Sequence, residues 1–296
     1  DVLVNNAGTT METPPKKMDD VELMHVVAEA MKLAFADRAH WLGDADFAPV
    51  PRGLIDKTYA KQLAKRIHMD RVSKVAKHGT PPRSTEDLFN KHTTHFSCAD
   101  SDGNWVACTA TVNTSFGSKV IIPGTGVIMN NEMDDFSIAP GVPNAFGLLG
   151  AEANAIAPGK RPRLTPNPAL AIHKGKFVMP FGTPGGDVQC QAMLQALLNI
   201  VLFGMNPQAA VEAPRFATYD FPNSFEPHSA YPGRLSIEGR FPEATVRALT
   251  ARGHEMYAWP DWTYLAGAVC AVYQDIEQGT LTGAADPRRQ GYAAGW

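Results

Sequence analysis

Residues 92–113 read His92-Thr-Thr-His-Phe-Ser-Cys-Ala-Asp-Ser-Asp-Gly-Asn-Trp-Val-Ala-Cys-Thr-Ala-Thr-Val-Asn113. Two alternating runs, 93–99 and 105–112, flank an Asp-Gly pair, and Gly103 can take the positive φ that a tight reversal needs. The stretch therefore predicts a β-hairpin with a threonine at its head. Thr-Thr at a strand start satisfies plain β-propensity. Cleavage before Thr93 would add something else: a free α-amine, with a reference pKa of about 8, beside a hydroxyl it can deprotonate.

Outward from the hairpin, other blocks follow in order. They are AEAMKLAFADR within residues 20–38, the Thr93-Thr-His-Phe-Ser97 head, residues 104–113, Asn130-Asn-Glu-Met-Asp-Asp-Phe136, residues 154–162, and Gly182-Thr-Pro-Gly-Gly186. From about Met24 to the C-terminus the chain resembles the γ-glutamyltransferase (γ-glutamyl transpeptidase) family of self-processing N-terminal-nucleophile hydrolases. The resemblance implies an α+β fold, the four-layer αββα sandwich. It also implies a chain cut into residues 1–92, the end of a large subunit, and residues 93–296, the small catalytic subunit, with the two fragments associated after cleavage.

The same resemblance implies the site. Thr93 is the nucleophile, Thr111 the helper that hydrogen-bonds it, and Asn113 a polar contact to substrate. Glu132 and Asp135 hold an α-amino group, and an ammonium is well matched to paired carboxylates. Gly185 and Gly186 offer backbone N–H groups as an oxyanion hole, a role suited to side-chain-free residues ahead of a helix. Thr111 and Asn113, at i and i+2, are expected on one face of a strand. No cofactor or metal is implied.

One departure bears on substrate. Where typical members carry a serine pair gripping the substrate carboxylate, this chain has Leu164 and Thr165 in Arg163-Leu-Thr-Pro-Asn-Pro168. That variant looks more like the branch containing oxamate amidohydrolase and cephalosporin acylases, so hydrolysis of a small or non-γ-glutamyl amide is expected over transpeptidation. The family's large subunit is also longer than the segment ahead of Thr93, and it supplies a carboxylate-binding arginine from a region absent here. A catalytically inert interaction module is therefore the alternative of a different class.

Composition narrows the rest. The 296 residues are 44% hydrophobic and 19% charged, with a net charge of −3 and a pI near 6.3, an ordinary globular balance without a nucleic-acid footprint. The sequence has no run of 18 apolar residues to cross a membrane, and residues 1–20 lack a signal-peptide pattern. The partner expected is a small-molecule amide, with no nucleic acid and no membrane. Cys98, Cys108, Cys190 and Cys270 have no Cys-x-x-Cys spacing. They read as buried thiols, although Cys98 and Cys108 could face each other across the hairpin.

Residues 1–8, DVLVNNAG, look like a short-chain dehydrogenase strand and turn, but no Tyr-x-x-x-Lys follows. Apolar spacing predicts a one-faced helix over 20–38, and helices over 57–72, 188–203, 206–213 and 241–252. Strands are expected over 169–173, 177–182 and 266–273. Residues 73–92, with Gly79, Pro81 and Pro82, read as an exposed linker where a chain could be cut.

Overall fold

The computed structural model describes residues 17–82, 95–137, 152–224 and 229–296. Helix α1 (Val21–Trp41) opens on Asp20, whose carboxylate accepts the backbone N–H groups of Glu22 and Leu23 and so satisfies two donors with no intrahelical partner. It is buried nearly all round rather than on one face, and its polar residues are paired where they are buried. Lys32 holds Glu29 at 2.9 Å, and Asp37 accepts from the Tyr59 hydroxyl at 2.7 Å. Tyr59 lies on α2 (Lys57–Ala64). That helix stops eight residues short of its expected end, because residues 65–72 turn to bring His68 and Met69 carbonyls to His25 and Arg252.

Residues 73–82 are no free linker. The Ser73 N–H bonds Glu29, the Gly79 N–H bonds Asp37, and the Gly79 carbonyl accepts from the Trp41 indole. Gly79 sits so close to Tyr59 that a Cβ there would lie 1.9 Å from the phenol oxygen. Residues 83–92, the rest of the expected linker, lie outside the described residues, as do residues 1–8.

The hairpin forms as expected, from β1 (His95–Ala99) and β2 (Trp105–Thr109), with Gly103 at φ +84°. Its register pairs Cys98 with Val106 and Phe96 with Cys108, so the two cysteines do not face each other. Both are free thiols, and Cys98 is exposed, as is Cys190, so neither is the buried thiol expected.

A second, antiparallel sheet has the order β3-β4-β8-β9, from β3 (Ala169–His173), β4 (Phe177–Gly182), β8 (Cys270–Asp275) and β9 (Thr280–Ala285). The hairpin packs against β4 and β8. Helices α3 (Val188–Val201) and α4 (Pro207–Glu212) join this sheet in one apolar core with Phe177, Met179 and Phe181. The layers so formed are helix, sheet, sheet. On the hairpin, Phe96 and Val106 remain about half exposed.

A third sheet, β5 (Phe216–Thr218), β6 (Arg234–Glu238) and β7 (Glu255–Trp259), joins α1 and α5 (Glu243–Ala251) around a second core. The architecture is mixed α+β.

Candidate active site

Strand β4 ends at Gly182, and its close neighbour is the start of β1: a Cβ on Gly182 would meet the His95 ring at 2.3 Å. His95 is buried between Thr109 Oγ1 at 2.8 Å and Ser97 Oγ at 2.9 Å, and burial lowers its pKa to about 4, so the imidazole is neutral near pH 7. Thr93 itself, and the bond between His92 and Thr93, lie outside the described residues.

After Gly182 the chain turns at Gly185 (φ +135°) and Gly186 (φ +59°) before entering α3. These angles favour glycine, and the turn lines an open cleft of about 450 Å³. Facing residues include Asn113, Thr114, Tyr219, Tyr264 and Arg289.

Thr111 and Asn113 are not on a strand. β2 ends at Thr109, and Asn113 adopts φ +75°, a conformation asparagine tolerates. Its backbone N–H bonds Thr111 Oγ1 at 2.8 Å, while its side-chain amide reaches the Asn131 carbonyl at 3.1 Å and approaches Asp135 at 3.5 Å. The two residues are joined by a local turn, not by strand periodicity.

Glu132 and Asp135 lie on one short 3-10 helix, Glu132–Asp135. Asp135 is buried, and desolvation, reinforced by Glu132, pushes its pKa up to about 7. Asn154 ties this helix to the strap carrying Thr165: its amide donates to the Asp135 carbonyl at 2.6 Å, and its oxygen accepts the Arg163 N–H at 2.6 Å. Thr165 Oγ1 is 3.4 Å from the Gln189 amide, in the first turn of α3.

Among the described residues the structure therefore gathers Asn113 with Gly185 and Gly186 at one cleft. It sets Asp135, Glu132 and Thr165 on segments bonded to that cleft's walls. Five residues absent from the sequence-based list belong here too. Asp187, directly after the glycine pair, takes an ion pair from Arg38 of α1, and Ser224 donates to it through both Oγ (2.7 Å) and N–H (2.6 Å). Burial opposes the charge on Asp187, but Arg38 and Ser224 outweigh it and hold the pKa below the ordinary carboxylate range. Arg163 lies beside the Arg38 carbonyl, and Arg289 at the cleft wall. An arginine two positions from Thr165 and an aspartate after Gly-Gly were the available signals.

A family model described as gamma-glutamyltranspeptidase matches residues 4–296. This chain belongs to the gamma-glutamyltranspeptidase family. It is 36% identical over 268 residues to the glutathione hydrolase proenzyme of Escherichia coli, covering 90% of this chain and 43% of that protein. It is 38% identical over 271 residues to the acylase ACY 1 proenzyme of a Pseudomonas strain, covering 91% and 43%. The solved cephalosporin acylase from Bacillus halodurans superposes with a TM-score of 0.74 at 29% identity, over 96% of this chain and 47% of that one. The chain thus spans about half the length of the curated relatives it matches. Membership of the gamma-glutamyltranspeptidase family bears out the resemblance and the α+β sandwich class.

Proposed function

We propose that the chain carries the catalytic centre of a self-processing N-terminal threonine amidohydrolase. An N-to-O acyl shift at Thr93 and hydrolysis of the resulting ester would free the Thr93 amine. That amine then takes the hydroxyl proton as Thr93 Oγ1 attacks an amide carbonyl. The leaving amine departs protonated, and water or an acceptor amine resolves the acyl-enzyme. Gly185 and Gly186 N–H groups stabilise the developing oxyanion, Thr111 orients the nucleophile, and Asn113, Glu132, Asp135 and Thr165 hold the acyl group.

The observation that carries this reading is the proximity of two chain features. β1 begins against Gly182, three residues ahead of the positive-φ glycine turn that lines the cleft. In the sequence Thr93 stands two residues ahead of β1, and this supports its assignment as the nucleophile of that cleft.

The fragments 1–92 and 93–296 would remain associated through contacts that cross the cut: Arg38 with Asp187, and Arg161 with Asp44 at 2.5 Å. The relatives named above are described as proenzymes, which supports the processing step. The Leu164–Thr165 pair favours hydrolysis of a small amide over transfer.

Intact-mass measurement tests the processing. The wild-type chain should resolve into two masses splitting before Thr93, and Thr93→Ala should stay whole. A Thr93→Ala protein cut at the same bond would mean an external protease, and an uncut wild type favours the inert module.

A further inference from the structure

The loop that follows α2 encloses a second cavity, of about 350 Å³, against α1. It shares no lining residue with the active-site cleft, and its volume is in the usual range for a small-molecule site. Glu29 and Leu33, both buried on α1, form its floor. Half-buried Arg66 and exposed His68, Arg71 and Lys74 form its rim.

The backbone of this rim is fixed by bonds to groups outside it. Ser73 closes the loop on itself, its Oγ donating to the Arg66 carbonyl at 3.2 Å. The Ser73 N–H bonds Glu29 at 2.9 Å, and Lys32 donates to the Ser73 carbonyl at 2.6 Å, so the loop's end is pinned to α1. Further round, the Met69 carbonyl accepts from Arg252 Nε at 3.0 Å and the Val72 N–H bonds the Arg252 carbonyl at 2.8 Å. The rim's cations are therefore brought together by the chain path and not by a carboxylate between them, which is how a preorganised site is built.

The ligand's charge follows from what the lining leaves uncancelled. On the floor Glu29 is neutralised by Lys32 at 2.9 Å. Arg71 is paired with Asp70 at 3.1 Å, and it reaches His68 Nδ1 at 3.4 Å. Arg66 has one side-chain partner, the Lys77 carbonyl at 3.2 Å, and among the described residues Lys74 has neither an ion pair nor a side-chain hydrogen bond. Two cations thus face one cavity without a counter-charge, in a chain whose net charge is −3. Holding like charges together is unfavourable, and an anion seated between them reverses the sign of the interaction. A guanidinium fork beside an ammonium suits a phosphate, which carries roughly two negative charges near neutral pH.

We propose that the cavity between α1 and residues 66–75 binds a phosphate dianion, free or borne on a headgroup, through Arg66 and Lys74 with Arg71 at the rim. The site stands apart from the amidohydrolase reading and does not depend on it. A dianion here ties the loop more firmly to α1, and with it the segment that runs on to Gly79, whose N–H is held by Asp37. Binding to the folded chain alone raises its stability by mass action.

The test is calorimetry of the full chain with inorganic phosphate as probe, at an ionic strength held constant with sodium chloride so that general screening is not counted as binding. Phosphate should bind saturably at one site per chain and raise the midpoint of thermal unfolding. Arg66→Gln should weaken it roughly 10- to 100-fold, the loss expected for a charge-assisted hydrogen bond, and Lys74→Gln about tenfold. Arg66→Lys, which keeps the charge and the alkyl stem, should lose less than Arg66→Gln and serves as the variant if the glutamine form does not fold. Lys61→Gln, on the exposed face of α2 outside the cavity, should bind as wild type does. Flotation with phosphatidylglycerol vesicles, against phosphatidylcholine vesicles, separates the sources. Retention on the anionic vesicles that Lys74→Gln abolishes assigns a lipid-borne phosphate, and phosphate binding without retention assigns a soluble ligand. Heats that do not saturate with phosphate, or equal weakening in Lys61→Gln and Arg66→Gln, would overturn the site.

Discussion

Two charged clusters in this molecule use the same residue types to opposite ends. In the first, Arg215, Glu238, Asp286 and Arg288 are all buried and closed on one another. Arg288 bonds Glu238 at 2.6 and 2.7 Å and Asp286 at 3.0 Å, and spends its remaining donors on the Val211 and Ala213 carbonyls. Arg215 takes Asp286 at 2.6 Å, and the Ala266 and Val211 carbonyls. In the second, around the cleft, Arg38 and Asp187 are closed but Arg163 and Gln189 are left with unused polar atoms. The closed cluster joins α4, β6 and the C-terminal segment.

The largest effect should come from opening the closed cluster. Glu238→Ala removes the acceptor shared by Arg288 and Arg240 and leaves buried guanidinium charge uncompensated. Breaking such a pair costs about 3–5 kcal/mol. Urea denaturation should show that loss. A midpoint within experimental error of wild type would erase the distinction between the clusters.

At the cleft, the next effect should fall on turnover. Gly186 sits at φ +59°, where a β-branched side chain is strained, and its N–H is a proposed oxyanion donor. Gly186→Val in processed enzyme should lower kcat roughly 10²- to 10³-fold, the usual result of losing one such donor. A kcat near wild type, with only KM raised, would remove Gly186 from the oxyanion hole.

How far the sequence reached follows the same division. Local features were legible. Asp20 and the apolar spacing marked α1 to within a few residues, Asp-Gly marked the hairpin turn, and the runs 169–173 and 177–182 became strands unchanged. The three-stranded sheet was missed, because β5 has only three residues and β6 and β7 carry no clean alternation. The helix over 57–72 was overrun, since its later residues are held by distant partners rather than by their own periodicity. At the site, the glycine turn and the acidic helix could be named from local pattern. Arg38 with Asp187 could not, because the partners are 149 positions apart. Arg163 was seen only as the residue ahead of Leu164 and Thr165, since an unsatisfied Nε is a property of the packed chain.

A smaller effect should appear in pH dependence. Asp135 binds a proton with a pKa near 7 because burial and Glu132 disfavour its charge. An ammonium ligand needs the ionised form, so kcat/KM for an amine-bearing amide should fall about tenfold per pH unit below about 7. The linkage has the opposite sign for stability. The folded state holds a proton that the unfolded chain, with a pKa of about 4, has released, so stability falls as pH rises from about 4 through 7. Asp135→Asn should flatten both trends while weakening the amine-bearing substrate at every pH. A kcat/KM profile in the Asn variant that keeps the same inflection near 7 would assign it to another group.

The smallest effect, and the most discriminating, is the stability of Arg163→Leu. In the closed cluster a guanidinium is repaid by carboxylates, so removing charge from one side harms the fold. Arg163 is desolvated beside Arg38 without a carboxylate in contact among the described residues, and its pKa is lowered to about 10 in consequence. Replacing a poorly compensated buried charge by an apolar side chain is often neutral or stabilising. Urea denaturation of Arg163→Leu should therefore give a stability equal to wild type or higher by up to about 1 kcal/mol. Loss of several kcal/mol would instead place Arg163 with Arg288 as a structural cation, and the open cluster would have to be read as a second closed one.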